Sequence, residues 1–151
     1  MPVEIPIDKW PGSVREVTLG ATAAEGGTRS HTVTVGGEKT LPFMHFENAM
    51  PHRPVVAVEI KDRRPEDWSP LLSEVWGNVM DDPVYWGKAG EAAGADLIVL
   101  ALTATDKEGK PTTAQSAVAT TKAVLGATGL PLIVFGPGQA ELDNELLVAV
   151  A

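Results

Sequence analysis

Val55-Val56-Ala57-Val58-Glu59-Ile60, Leu97-Ile98-Val99-Leu100-Ala101-Leu102 and Leu132-Ile133-Val134-Phe135 decide how this chain is read. Each is a short, almost unbroken apolar run rich in β-branched residues. Such runs fit strands covered on both faces, as in parallel sheets, where crossover helices bury the strands. The intervening segments carry helix signals. Asp82-Pro83 pairs an N-cap with proline at the first helical position, and Gly94 ends that helix. Ser69-Pro70 opens a shorter helix that stops near Gly77. Thr112 with Gln115 spells a capping box, followed at helical spacing by Ala114, Ala117, Val118, Thr121, Val124 and Leu125. Residues 141–151 read as one more helix.

Upstream of residue 55 the pattern is different. Residues 14–19 and 31–35 are β-branched and alternate, and the stretch between them contains Gly26-Gly27, which suits a hairpin with a long loop. Gly36-Gly37 marks the next turn, and residues 42–47 are expected to be a third short extended piece. Prolines at 51 and 54 make residues 48–54 a connector. The expected order is therefore a β-hairpin extension and connector over 1–54, then three β/α units over 55–151. Three parallel strands alone leave open edges, so the simplest fold class is α/β, the first part of a (β/α)8 TIM barrel, which typically needs about 250 residues. On that reading the chain is a fragment, or a half that a partner completes. A small open α/β sheet is the competing architecture.

Composition narrows the partners. The 151 residues include 20 Asp+Glu against 12 Lys+Arg, a formal charge of −8, which argues against a nucleic-acid partner. The acids concentrate in residues 55–110, which hold 11 acidic and 6 basic side chains. With no cysteine, the chain offers no disulfide, thiolate metal site, cysteine nucleophile or iron–sulfur ligand. No apolar run is long enough to span a membrane, and residues 1–4 show no signal-peptide pattern, so a cytoplasmic location is expected. His31, His45 and His52 match no helical metal-pair spacing, and His45 between Met44 and Phe46 reads as a packed strand residue. The four tryptophans, at 10, 68, 76 and 86, are scattered along the sequence, with packing as their default role.

In either architecture function lies at the carboxyl ends of the strands. Glu59 and Asp62 end the first run, Thr103, Thr105 and Asp106 follow the second, and Gly136 and Gly138 follow the third. These seven are the candidate binding residues, suited to hydrogen bonding a large polar ligand. Arg63 and Arg64 read as solvated loop charges, and Glu59 could instead pair with a base across a barrel interior. Gly136-Pro137-Gly138 is no dinucleotide fingerprint, because position 141 is Glu, yet a strand-to-helix turn can recognise an anion weakly. No nucleophile–base pair is evident.

The strings Glu25-Gly-Gly-Thr-Arg-Ser and Leu41-Pro-Phe-Met-His-Phe-Glu-Asn-Ala-Met-Pro-His-Arg-Pro, with Asp82-Pro83-Val84-Tyr85-Trp86 and Thr105-Asp106, carry a resemblance. The chain resembles the small (delta) subunit of the corrinoid iron–sulfur protein of the acetyl-CoA decarbonylase/synthase, or Wood–Ljungdahl, system. The resemblance implies a TIM barrel about twice this length, of which the chain matches the amino-terminal half, with an N-terminal β extension. It implies a heterodimer whose large subunit carries a 4Fe–4S cluster and the cobamide (corrinoid) domain, so that this chain holds neither metal nor cluster. It further implies transfer of a methyl group from methyltetrahydrofolate or a pterin, through a methyltransferase, to cobalt and on to acetyl-CoA synthase. The small subunit would help cover the corrinoid and dock these partners without itself being the catalyst. The alternative is a pterin-dependent methyltransferase or pteroate synthase-like barrel enzyme.

Overall fold

The structure, a computed structural model, describes residues 2–7, 11–44, 46–105 and 108–151. His45 and Trp10 lie outside the described residues. Strands β1 (Val17–Leu19) and β2 (Val33–Val35) form an antiparallel hairpin with Val17 opposite Val35. Gly36 makes the turn beyond it with φ +90°, where a Cβ would collide with the Arg15 carbonyl. Next come β3 (Ala57–Lys61), α1 (Pro70–Trp76), a 3-10 turn at Gly77–Asp81, and α2 (Pro83–Ala92). The chain then runs through β4 (Leu97–Ala101), α3 (Ala114–Ala127), β5 (Leu132–Phe135) and α4 (Ala140–Val150). Strands β3, β4 and β5 lie side by side in sequence order, all parallel, with Glu59 beside Val99 and Val99 beside Ile133.

The helix boundaries follow local chemistry. Asp82 accepts from Val84 N at 2.8 Å with Pro83 behind it, and Ser69 accepts from Leu71 N in the same manner. Gly94, at φ +90°, ends α2 by donating to Glu91 O. Two expectations are corrected. The piece expected to be extended over 42–47 opens instead as a 3-10 turn at Pro42–Met44, since the fixed φ of proline suits a helical turn and Met44 N donates to Leu41 O. The cap of α3 is Thr113 rather than Thr112, with Ser116 N donating to Thr113 Oγ1 at 3.2 Å. The sequence holds two adjacent threonines, and the one whose hydroxyl reaches the free amide takes the cap.

The core lies on one face of the sheet. Val58, Ile60, Ile98, Leu100, Leu132 and Val134 meet Met80, Trp86, Ala117, Val124 and Leu146 from the helical layer. Burying each such large side chain contributes roughly 1.5–3 kcal/mol. Trp68, Trp76 and Trp86, dispersed in sequence, gather here. Trp68 meets Trp86 edge-on at 5.3 Å and Trp76 tilts against it at 6.4 Å. Among the described residues no helix packs on the opposite face, contrary to the expectation of strands covered on both sides. Ala57 and Glu59 are exposed there, and Phe135 is 57% exposed.

The hairpin is tied to the amino end of this sheet. Arg29 donates from Nη1 to the Thr128 and Leu130 carbonyls (2.9 and 3.0 Å) and from Nη2 to the Leu125 carbonyl (2.7 Å). A cation there meets the carbonyl end of α3, where the helix dipole is negative. Ser30 adds two bonds to Gly129 O, from its amide and its hydroxyl. On the neighbouring strand, Asp96 accepts both Arg53 guanidinium nitrogens and the Val56 amide. That fork holds the Asp96 carboxyl down at about 2.

Candidate functional site

Beyond the carboxyl ends of β3 and β4 the backbone opens, and polar side chains converge. Asp62 directly follows β3, and its amide donates to the Ala101 carbonyl at 3.3 Å. Its Oδ2 accepts from Thr103 N at 3.1 Å, and its Oδ1 lies 2.8 Å from Thr103 Oγ1. That same hydroxyl lies 2.8 Å from the Thr105 carbonyl oxygen. A hydroxyl has one proton, so an ionised Asp62 leaves Thr103 with two acceptors to serve. A protonated Asp62 donates to Thr103 Oγ1 instead and frees the threonine proton for Thr105. Burial pushes the Asp62 carboxyl above its ordinary value, against the lowering effect of the Thr103 bonds and of the Arg63 charge.

The β4–α3 loop is closed on itself. Thr105 bridges Pro111, Thr112 N donates to Ala104 O at 2.9 Å, and Thr112 Oγ1 donates to Thr103 O at 2.6 Å. Thr112, read from sequence as a cap, is buried and braces this loop instead. Asp62, Arg63, Thr103, Thr112, Ser116, Ala117 and Thr120 line a cleft of about 100 Å³. Arg63 also faces a neighbouring cleft with Arg64, Glu66 and Asp81. Arg64, read from sequence as a loop charge, is anchored by Asp81 Oδ1 at 2.7 Å and the Gly77 carbonyl at 2.6 Å while its side chain stays 38% exposed.

Of the seven candidate residues, the structure joins Asp62, Thr103 and Thr105 in one network. Asp106 lies outside the described residues. Glu59 stands on β3, on the open face of the sheet, three residues before Asp62. At Gly136 and Gly138 the turn is filled by the chain's own Asp143. Its Oδ1 accepts from Gly138 N at 3.1 Å and occupies the space a Cβ on Gly136 would take. Sequence reasoning took Thr112 as a cap and overlooked Ser116 and Thr120; the signal for these two was a pair of hydroxyls four residues apart on α3. Among the described residues no three His, Cys, Asp or Glu side chains are placed to hold a metal ion. His31 and His52 sit far from this cleft in sequence order, around the hairpin and connector, where they line a recess with Arg53 and Asp96. Among the described residues no helix is long and apolar enough to cross a membrane.

A parallel sheet backed by helices, with hydrogen-bonding groups gathered past its strand ends, places the chain among α/β domains, a class in which ligands are commonly met at that end. Residues 16–151 match the family model described as CO dehydrogenase/acetyl-CoA synthase delta subunit, and the chain belongs to that family. It is 41% identical over 149 residues to the acetyl-CoA decarbonylase/synthase complex subunit delta of Archaeoglobus fulgidus, covering 95% of this chain and 32% of that protein. It is 38% identical over 146 residues to subunit delta 1 of the same complex from Methanosarcina thermophila, covering 96% and 33%. With the Methanopyrus kandleri subunit delta the identity is 33% over 141 residues, covering 93% and 35%. The chain thus spans about a third of the length of these curated relatives, a smaller share than the half implied by the resemblance.

Proposed function

We propose that this chain is part of a delta-type subunit that helps cover a protein-bound corrinoid and dock partners while a methyl group passes to acetyl-CoA synthase. Membership of the delta-subunit family carries the reading. The geometry supports it in two ways. First, the site matches the periphery of a corrinoid rather than its cobalt. Asp62, Thr103, Thr112 and Ser116 bring a carboxyl and hydroxyls to the cleft, which suit the amide side chains around such a macrocycle, and a 100 Å³ cleft admits one such group and not the ring. When bound, the corrinoid would supply the cobalt that carries the methyl group. Second, the helix-free sheet face, with Phe135 exposed on it, is what three strands of an unclosed barrel would present. On this proposal residues 1–54 form the extension and 55–151 the first part of a (β/α)8 barrel.

In the same reading the corrinoid is shared with a large subunit that also bears the 4Fe–4S cluster, this chain acts in the cytoplasm, and a methyltetrahydrofolate or pterin methyltransferase is a third partner. Glu59, Asp106, Gly136 and Gly138 remain candidates for contacts completed by other segments. The enzyme alternative would need an enclosed pocket of roughly 300 Å³ or more for a pterin. The discriminating experiment is reconstitution with the large subunit. Corrinoid absorbance and methyl transfer in the complex, reduced by Thr103→Val or Thr105→Val with the complex intact, support the proposal. Stoichiometric binding of methyltetrahydrofolate by the chain alone would favour the enzyme alternative, and a complex without corrinoid or transfer would end the carrier reading.

A further inference from the structure

The short helix α1 shows an apolar face to solvent. Its inner side is seated by Trp76 against Trp86, next to the Trp68–Trp86 contact, so its orientation is fixed by an aromatic cluster. That leaves Leu71 72% exposed, Val75 76% and Leu72 43%. Leu71 and Val75 are four residues apart and share one side of the helix. Scattered exposed leucines are ordinary, but three aliphatic side chains on one rigid, two-turn helix form a patch. Its electrostatic setting is one-sided. From residue 65 to 87 the chain has five acidic residues and no basic one. Glu66, Asp67 and Glu74, around the patch, are all exposed. Of the nearby cations, Lys61 lies 5.6 Å over the Trp68 ring, Arg64 is held by Asp81 and the Gly77 carbonyl, and Arg63 and Arg64 share a cleft with Glu66, which leaves Asp67 and Glu74 as the carboxylates that set the charge of the patch.

We infer that the outer face of α1 is a docking surface for a second, different protein subunit, whose contact area is apolar at its centre and rimmed by lysine or arginine. Charge selects this occupant. Two copies of α1 facing each other would oppose carboxylate to carboxylate, whereas a basic rim meets Asp67 and Glu74 with complementary sign. The position fits as well, because the Gly77 carbonyl at the end of α1 holds Arg64, which lines a cleft with Arg63 just past the end of β3. The inference rests on the proposed membership of a multi-subunit assembly and adds the place and chemistry of one contact.

The absence of native cysteine makes the test direct. Leu71→Cys and Val75→Cys each place a single thiol on the patch, and Val148→Cys, at a site 77% exposed on α4, serves as the control. Maleimide labelling rates are measured for the chain alone and after saturation with the purified remaining subunits of an acetyl-CoA decarbonylase/synthase complex. Native mass spectrometry reports whether the complex has formed. Expected are labelling about tenfold or more slower at positions 71 and 75, no change at 148, and an association rate that falls when Asp67→Lys and Glu74→Lys are introduced together. If the complex forms and positions 71 and 75 label at the free rate, the docking surface is refuted while the assembly proposal stands. If no complex forms, the assembly proposal itself is refuted. Slowing that tracks the concentration of the chain alone would identify a second copy as the occupant and overturn the inference.

Discussion

Asp96 and Asp62 stand at opposite ends of the same parallel sheet, and their carboxyls are displaced in opposite directions. Asp96, just before β4, receives two guanidinium nitrogens of Arg53 and one backbone amide, and is held down at about 2. Asp62, just after β3, is raised by burial that two bonds from Thr103 do not offset. The amino end of the sheet is thus built of satisfied charge pairs and carbonyl caps, and the carboxyl end keeps a carboxyl whose charged form is disfavoured. The Asp96 environment fixes an ion, whereas the Asp62 environment resists ionisation.

The largest test of this contrast is Arg29→Ala at the amino end. Three carbonyls lose a charged donor at once, and the hairpin loses its grip on α3. A cost of about 2–4 kcal/mol is expected in urea denaturation, against no more than about 1 kcal/mol for Arg29→Lys if one carbonyl were all that mattered. A loss near zero would show that the hairpin is held elsewhere.

Acid titration is the next in size. Asp96 has a folded value of about 2, below its unfolded value, so its contribution is present at pH above about 4. That stabilisation should fade as pH falls towards 2, and Arg53→Ala should remove it, flattening the slope of stability against pH between about 4 and 2. An NMR titration placing Asp96 in the ordinary carboxylate range would break the contrast from this side.

At the carboxyl end the expected effects are smaller. Thr113→Ala removes the α3 cap and should cost about 1 kcal/mol. Thr112→Val removes a hydroxyl from the Thr103 carbonyl and should cost about as much. Only Thr112→Val should also disturb the β4–α3 loop, as read by amide exchange at Thr103 to Thr105. Equal loop protection in the two variants would contradict the bracing role.

Asp62→Asn should change least. The asparagine oxygen can accept from Thr103 N while its amide donates to Thr103 Oγ1, releasing that hydroxyl for the Thr105 carbonyl. Because the folded Asp62 carboxyl is raised, its stabilising contribution is complete at low pH and declines as pH rises through its folded value. The Asn variant should therefore equal the parent in acid and match or exceed it at neutral pH. A marked loss at neutral pH would show that Asp62 works as a carboxylate.

Much of the architecture was legible in particular residues. Ser69-Pro70 and Asp82-Pro83 open the helices they announce, Gly94 closes one of them, and the three apolar runs are the three parallel strands. These are local effects: caps, fixed φ and apolar periodicity act over a few residues. The site was legible in part, since Asp62, Thr103 and Thr105 do converge. Thr112 was misread because a capping threonine and a loop-bracing threonine look alike until the hydroxyl has a direction. Gly136 and Gly138 pointed to an open cradle, and Asp143, five residues past Gly138, fills it from the next helix. The string around Arg29 was recognisable without its reason; its reason is a guanidinium spanning about a hundred residues to the end of α3.

The sequence by itself settled the acidic, cysteine-free character, the order of strands and helices, and the family. Only the tertiary structure decided that helices cover a single face of the sheet, that three distant tryptophans seat α1, and that two aspartates are driven apart in their affinity for a proton. The physical reason is range. Propensity and capping are fixed by neighbours in the chain, whereas burial and charge pairing depend on what the rest of the molecule brings to the same place.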